Sequence, residues 1–423
     1  VADNILILLG DDIGVDNVGV YQKGTDLPAT PRFDALANAG VRFNNAWANP
    51  QCTQTRATIE TGRYAIHNGM GQSLINERIG SFRYPSVTIP KLLDRGTGHA
   101  YEHAFFGKWH LDVDRGGWPW APNMHGWRFF QGQKGNLDQF GETFYAHTKV
   151  TQGRESFSTK YQTEETADDA IAWIAKAKEP WLAYVSFNAA HSPYHTPPPG
   201  TFTTSLAGLP PVPGALPPRP YYKAAIEAFD FHLGRVIDSL GPKLGHTLII
   251  LGTDNGTPVE VLGPGIPPTQ AKSLPTQGGV LVPFVLVRQG GPPGTSDALV
   301  NSADIYATIA EIAGADLAKT GGPPLDSVSL LPYLSNPKLP SIREFQYAER
   351  FQANNELAPG TFHIQTVREK RYKLIRGLPG IGDILFDLDP TGPGETFNLL
   401  DLPAPPPEAL AAYVKLQAFL AGL

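Results

Sequence analysis

The strongest constraint on this chain is a set of short, uninterrupted apolar runs, each closed by a polar or glycine-bearing turn. Residues 5–9 (Ile-Leu-Ile-Leu-Leu) lead into Gly10-Asp11-Asp12, and comparable runs occupy 181–187, 247–251 and 282–287, with a shorter one at 104–106. A strand that is apolar at every position has both faces covered, as in a parallel sheet with helices on each side. Helix-like segments fall between the runs, at 31–39, 56–61, 163–178, 221–240 and 302–313. This alternation predicts an α/β fold: a mostly parallel central sheet sandwiched by helices. In such sheets ligands collect beyond the carboxyl ends of the strands.

Two stretches differ in texture. Residues 197–220 are rich in Pro and Gly and read as an extended surface loop, placed to shape a site entrance. From about Ser341 the pattern changes to short strands at 362–366, 371–375 and 384–388, then an amphipathic helix at 407–420. The expected organisation is a large α/β domain over residues 1–340 and a smaller C-terminal α+β subdomain over 341–423, packed on it without a flexible linker. Gly (44) and Pro (40) make up about a fifth of the 423 residues, above the usual share of roughly 12%, and predict many fixed loops. A net charge of −6 gives no footprint for nucleic acid, and no apolar run is long enough to span a membrane. The oligomeric state is not readable. The compartment stays open: one cysteine fits either redox environment, and a start at Val1 is compatible with a removed leader.

The chemistry-bearing residues cluster at the ends of the apolar runs. Asp11 and Asp12 follow the first, and Asp254 and Asn255 follow the run at 247–251. Carboxylates gathered at one sheet edge repel unless a cation joins them. Oxygen ligands select a hard ion, Ca²⁺, Mg²⁺ or Mn²⁺. The bland alternative for each pair is capping and turn formation, which Asp serves equally well. Lys108 and His110 follow the run at 104–106, where strand alternation would place them on one side; His191 closes the run at 181–187, and Lys272 precedes Gly278-Gly279. Lysines, an arginine and histidines around a cation suit a tetrahedral oxyanion. The other histidines, such as His67 and His246, read as ordinary hydrogen-bonded residues. The lone cysteine, Cys52, stands in Cys52-Thr53-Gln54-Thr55-Arg56. A free cysteine is usually a small buried apolar residue; the company of these motifs makes it a candidate nucleophile.

Taken together, the motifs resemble the sulfatase family of the alkaline phosphatase superfamily. The matching pieces run in order along nearly the whole chain: Asn4 to Asp12 with Gly14; Thr30-Pro31; Gly40 to Ala46; Cys52 to Arg56 with Thr61-Gly62-Arg63-Tyr64; Gly107-Lys108-Trp109-His110-Leu111; His191-Ser192-Pro193; Thr253-Asp254-Asn255-Gly256; Gly278-Gly279 with Val282-Pro283; and, in the tail, Arg371-Tyr372-Lys373-Leu374, Leu385 to Leu388 and Asn398-Leu399. The resemblance implies an alkaline-phosphatase-like fold and one divalent metal, Ca²⁺ foremost, held by Asp11, Asp12, Asp254 and Asn255, with the residue at position 52 beside it. It implies that Cys52 is oxidised to formylglycine, whose hydrated form attacks sulfur in a sulfate ester. Arg56 would orient that diol, Lys108 and Lys272 would grip the oxyanion, His110 would stabilise or deprotonate the diol, and His191 would assist the leaving group.

The sequence departs from the family pattern where Gln54 occupies the position of a proline in the modification signature; Asp112 and Gln277 replace a common glycine and acid at non-ligand positions. Unconverted Cys52 acting as a thiolate is therefore an alternative, with Thr53 or Thr55 as lesser sources of a hydroxyl. The substrate expected is a small sulfate ester, arylsulfatase-like, with phosphodiesters or phosphonate monoesters as the alternative and a non-catalytic anion-binding homologue behind them. Trp109, Trp118, Trp120, Trp127 and Tyr194 are candidates for an apolar pocket lining.

Overall fold

The computed structural model describes residues 3–74, 80–83, 86–112, 119–355, 362–391 and 394–423. Trp118 lies outside them. Ten strands form one sheet: β1 (Asn4–Gly10), β2 (Val41–Trp47), β3 (Glu102–Lys108), β4 (Phe129–Gln133), β5 (His147–Thr151), β6 (Arg154–Ser158), β7 (Trp181–Ser186), β8 (Thr247–Thr253), β9 (Phe284–Val287) and β10 (Gly294–Asn301). Their order is β10-β2-β9-β8-β1-β7-β3-β4-β5-β6. The block β8-β1-β7-β3-β4 is parallel throughout, as the uninterrupted apolar runs predict. The run at 282–287 is a correction: its strand, β9, is antiparallel to both neighbours.

Side chains of β1 show the sandwich directly. Ile5, Ile7 and Leu9 enter one core with Ala57, Ile59, Leu92, Leu93, Ile305 and Ile309, from the helices Cys52–Thr61, Ile89–Thr97 and Asp304–Ile312. Leu6 and Leu8 enter the opposite core with Phe33, Ala170, Ile226, Phe229 and Leu233, from the helices Pro31–Ala39, Gln162–Ile174 and Arg219–Asp238. Two-sided burial of a strand is why alternation is missing from its sequence. Trp109 and Trp127 belong to the first core, so they do not line a pocket. Trp120 is half exposed, with its ring over Gly153.

A second sheet is antiparallel, in the order β11 (Gln346–Phe351), β12 (His363–Arg368), β13 (Tyr372–Arg376) and β14 (Ile384–Asp387). The helix Pro407–Ala421 covers it through Ala409, Leu416 and Leu420, which pack on Tyr347, Val367, Leu374 and Leu385. β11 lies against the large sheet's core: Asn301 Nδ2 donates to Tyr347 O at 2.7 Å, and Gln54 Nε2 donates to Glu349 O at 2.8 Å. Residues 197–218 form no regular element; Glu227 of the helix beneath accepts bonds from Thr203 and Thr204.

Candidate active site

The carboxyl ends of β1, β8, β7 and β3 meet because of their register. Gly10 pairs with Thr253 and Gly107 with Ser186, so the residues that follow leave the sheet side by side. Asp11 and Asp12 emerge beside Asp254 and Asn255; Asp12 N donates to Asp254 Oδ1 at 3.2 Å and Asn255 Nδ2 to Asp12 Oδ1 at 2.7 Å. Asp12 has φ 60°, the left-handed region that Asp tolerates better than most residues. Gly256 cannot be replaced, because a Cβ there would stand 1.7 Å from Gly278 O. That close approach brings the Lys272 segment onto the strand ends.

The helix beginning at Cys52 points its N-terminus at this cluster, and Cys52 is 1% exposed. The sequence pattern placed the helix start at Arg56; the structure starts it at the cysteine itself. Lys272 Nζ lies 3.8 Å from Cys52 Sγ and also donates to Asp12 Oδ1. Lys108 Nζ donates to Asp11 Oδ2. Arg56 donates to Asp254 Oδ2 from Nε at 3.2 Å and from Nη2 at 2.9 Å, and its Nη1 reaches Lys108 O at 2.8 Å. His191 Nε2 is 3.5 Å from Asp12 Oδ2, and its Nδ1 donates to Ser192 O at 2.9 Å. β3 ends at Lys108 and His110 has φ 56°, so a turn rather than strand alternation brings His110 in. His110 Nε2 faces the carbonyl of Leu74 at 3.1 Å, which leaves Nδ1 as the buried, unpartnered ring nitrogen.

Burial and charge act against each other here. Burial and the neighbouring Asp254 push the Asp11 carboxyl well above its ordinary range despite Lys108. For Asp12, burial is outweighed by Lys272, His191 and Lys108, and its carboxyl is held below the usual range. Burial pushes the Cys52 thiol up, more than Lys108 and Lys272 pull it down. Burial also holds His110 well below its ordinary value, helped by Lys108 and Arg56. His191 is pushed down to about 4 by burial, against the pull of Asp12.

The residues fit a hard cation. Asp11 Oδ1 and Asn255 Oδ1 are buried oxygens without a hydrogen-bond partner, an arrangement that is costly unless something positive faces them. Two ligand groupings converge: Asp12, Cys52 and His191, and Asp11, Cys52 and Asp254, each with ligand atoms within 4.8 Å of one another. All ten residues singled out in the sequence are thus brought to one end of the sheet. The remaining candidates are placed elsewhere or otherwise employed. Thr53 Oγ1 donates to His110 O, and Thr55 Oγ1 accepts from Asn49 N. His67 pairs with Asp326 and His246 with Glu179. Tyr194 donates to Glu260 Oε1 at 3.0 Å.

Three contributors went unread in the sequence. Ser186 Oγ accepts from Arg56 and donates to Lys108 O at 2.9 Å; its place at the end of an apolar run was the available signal. Ser73 Oγ lies 3.8 Å from Cys52 Sγ, and Gln51 joins Ser73 N to Ser273 Oγ. Neither Ser73 nor Gln51 carries a local signal, because each acts through folding-dependent proximity.

A family model described as Sulfatase matches residues 3–315. The chain belongs to the sulfatase family. It is 26% identical to the uncharacterized sulfatase YdeN of Escherichia coli (strain K12), over 79% of this chain and 66% of that protein, so it spans just under two thirds of YdeN. It is 27% identical to arylsulfatase A of Bos taurus, over 98% of this chain and 87% of that one. The crystal structure of Ps i-CgsB shares its fold with a TM-score of 0.80 at 23% identity, covering 100% of this chain and 92% of that one.

Proposed function

We propose that this sulfatase-family chain is a metal-dependent hydrolase of small sulfate esters, with its nucleophile carried at position 52 as formylglycine made from Cys52. The observation that carries this reading is that the Cys52 sulfur belongs to two ligand groupings, one with Asp11 and Asp254 and one with Asp12 and His191. Asp11, Asp12, Asp254 and Asn255 would hold the cation, Ca²⁺ first, with Mg²⁺ or Mn²⁺ admitted by the same oxygen chemistry. When bound, the cation supplies charge neutralisation at the sulfate oxygens and favours an ionised hydroxyl. Formylglycine supplies a hydrated aldehyde, one hydroxyl displacing the alcohol at sulfur and the other releasing sulfate.

The chain's own residues do the rest. Lys108 and Lys272, anchored on Asp11 and Asp12, present ammonium groups to the sulfate oxygens where charge develops. Arg56 ties Asp254 to the carbonyl of Lys108 and orients the group at position 52. His110, held neutral with Nδ1 unprotonated, accepts a proton from the attacking hydroxyl. His191 gives a proton to the departing alcohol oxygen; an anionic ester beside it favours its protonated form.

Gln54 turns away from the reacting groups toward Gly71 O and Glu349 O, so its presence bears on conversion rather than on chemistry. Two measurements test the reading. Peptide mass across residue 52 is expected to be lower than the cysteine form by roughly 18 Da, a change outside the ordinary sulfur oxidation ladder; active protein with unaltered cysteine overturns the formylglycine step. Turnover of aryl sulfate is expected to exceed that of matched phosphodiester and phosphonate; the reverse order overturns the substrate.

A further inference from the structure

The wall beside Cys52 continues outward through a chain of half-buried polar residues. Gln51 Nε2 donates to Ser273 Oγ at 3.1 Å, Gln51 Oε1 accepts from Ser73 N at 3.1 Å, and Ser73 Oγ sits 3.8 Å from the Cys52 sulfur. Ser273 follows Lys272, whose ammonium also lies 3.8 Å from that sulfur. At the outer end of this wall stands Arg350, from the end of β11, with Nη1 donating to Ser273 O at 3.3 Å.

Arg350 is a cation with most of its bonding capacity unspent. A guanidinium has five N–H donors in a planar fork; here one group is used on Ser273, and the Nε is buried without a partner. Its carbon stands 5.3 Å from the centre of the Phe362 ring, within cation–π range. Among the described residues no carboxylate pairs with it; burial alone shifts it, downward. A half-buried guanidinium with no carboxylate beside it among the described residues has donors free to take up an anion.

On the sulfate-ester reading Lys108, Lys272 and Arg56 hold the ester's sulfate, and the hydrogen-bonded wall through Gln51, Ser73 and Ser273 is the surface offered to its alcohol portion. We propose that Arg350 is a specificity-determining residue that binds an anionic oxygen group, a carboxylate or a second sulfate, on the alcohol portion of the ester. This rests on the sulfate-ester reading above. It defines the substrate class as esters bearing a further negative charge, for which a planar, bidentate donor is the fitting partner.

The test compares kcat/KM for nitrophenyl sulfate with that for a carboxylated aryl sulfate and a disulfated aryl ester, in wild type, Arg350→Ala and Arg350→Lys. The preference of the wild type for the anionic esters should fall roughly 10- to 100-fold in Arg350→Ala, the scale of one charge-assisted pair. The loss should appear in KM, and Arg350→Lys should restore part of it. Whichever anionic ester loses more identifies carboxylate or sulfate as the group bound. An equal loss on neutral and anionic esters, or no change in preference, overturns the proposal. If no ester is turned over, the reaction reading fails by itself, and calorimetric titration of the carboxylated ester decides: weaker binding in Arg350→Ala supports the role of Arg350, and unchanged binding overturns it.

Discussion

At the scale of single residues, Lys272 links the candidate nucleophile to a carboxylate, lying 3.8 Å from Cys52 Sγ and donating to Asp12. Lys272→Ala should lower kcat by about 10²–10³, the cost of removing one donor from a preorganised oxyanion site. Cys52→Ala should remove turnover while leaving metal content, read by elemental analysis, close to that of the parent; retained turnover would point to another nucleophile. Glu60, at the far end of the same helix, is buried, with Trp127 Nε1 donating to Oε1 at 3.2 Å and Oε2 unpartnered. Burial pushes its carboxyl up to about 8, so the fold keeps it protonated. The folded state then holds an extra proton between the unfolded value near 4.5 and about 8, and stability is lost as pH rises through that window. Glu60→Gln should be neutral at pH 4.5 and stabilising above pH 8, by an upper bound on the order of 5 kcal/mol. Melting curves at the two pH values check this, and an equal shift at both contradicts it.

At the scale of elements, the helix Cys52–Thr61 is where the two sheets are stitched together. Gln54, fully buried on its first turn, donates to Gly71 O and to Glu349 O of β11. Gln54→Ala removes both bonds from a buried seam and should cost about 1–3 kcal/mol, seen as a lower urea midpoint. Gln54→Pro should cost as much while restoring the signature proline, so the fraction converted at position 52 should rise as stability falls. The position looked like a pure departure from a motif because its partners lie 17 and 295 residues away. β1, β7 and β8, buried on both faces, were readable as uninterrupted apolar runs, and β12, β13 and β14 were readable as short strands; β2 and β6 were not. β6 is exposed along nearly its whole length, and β2 alternates with polar positions that face other elements. Such strands exist because a neighbour supplies their ladder, information that no local pattern carries.

At the scale of the molecule, pH acts through buried histidines as well as through the site. Burial pushes His195 and His232 down to about 4, so the fold keeps them neutral. Their contribution is complete above the ordinary histidine value and is lost as pH falls from about 6.5 to about 4, by at most about 3 kcal/mol each. Equilibrium unfolding across that range should show stability falling with acid, and the double variant His195→Gln with His232→Gln should flatten the slope. An unchanged slope would mean that other groups carry the acid sensitivity. By itself the sequence determined the layered α/β architecture, because doubly buried strands must be apolar throughout, and it determined which residue types could meet at the strand ends. Only the tertiary structure decided that Asp11, Asp12, Asp254, Asn255 and Cys52 share one space, because that depends on strand register and on the contact between Gly256 and Gly278. It also decided where Arg350 stands, since a strand from the tail reaches the rim of the site only after both sheets have packed.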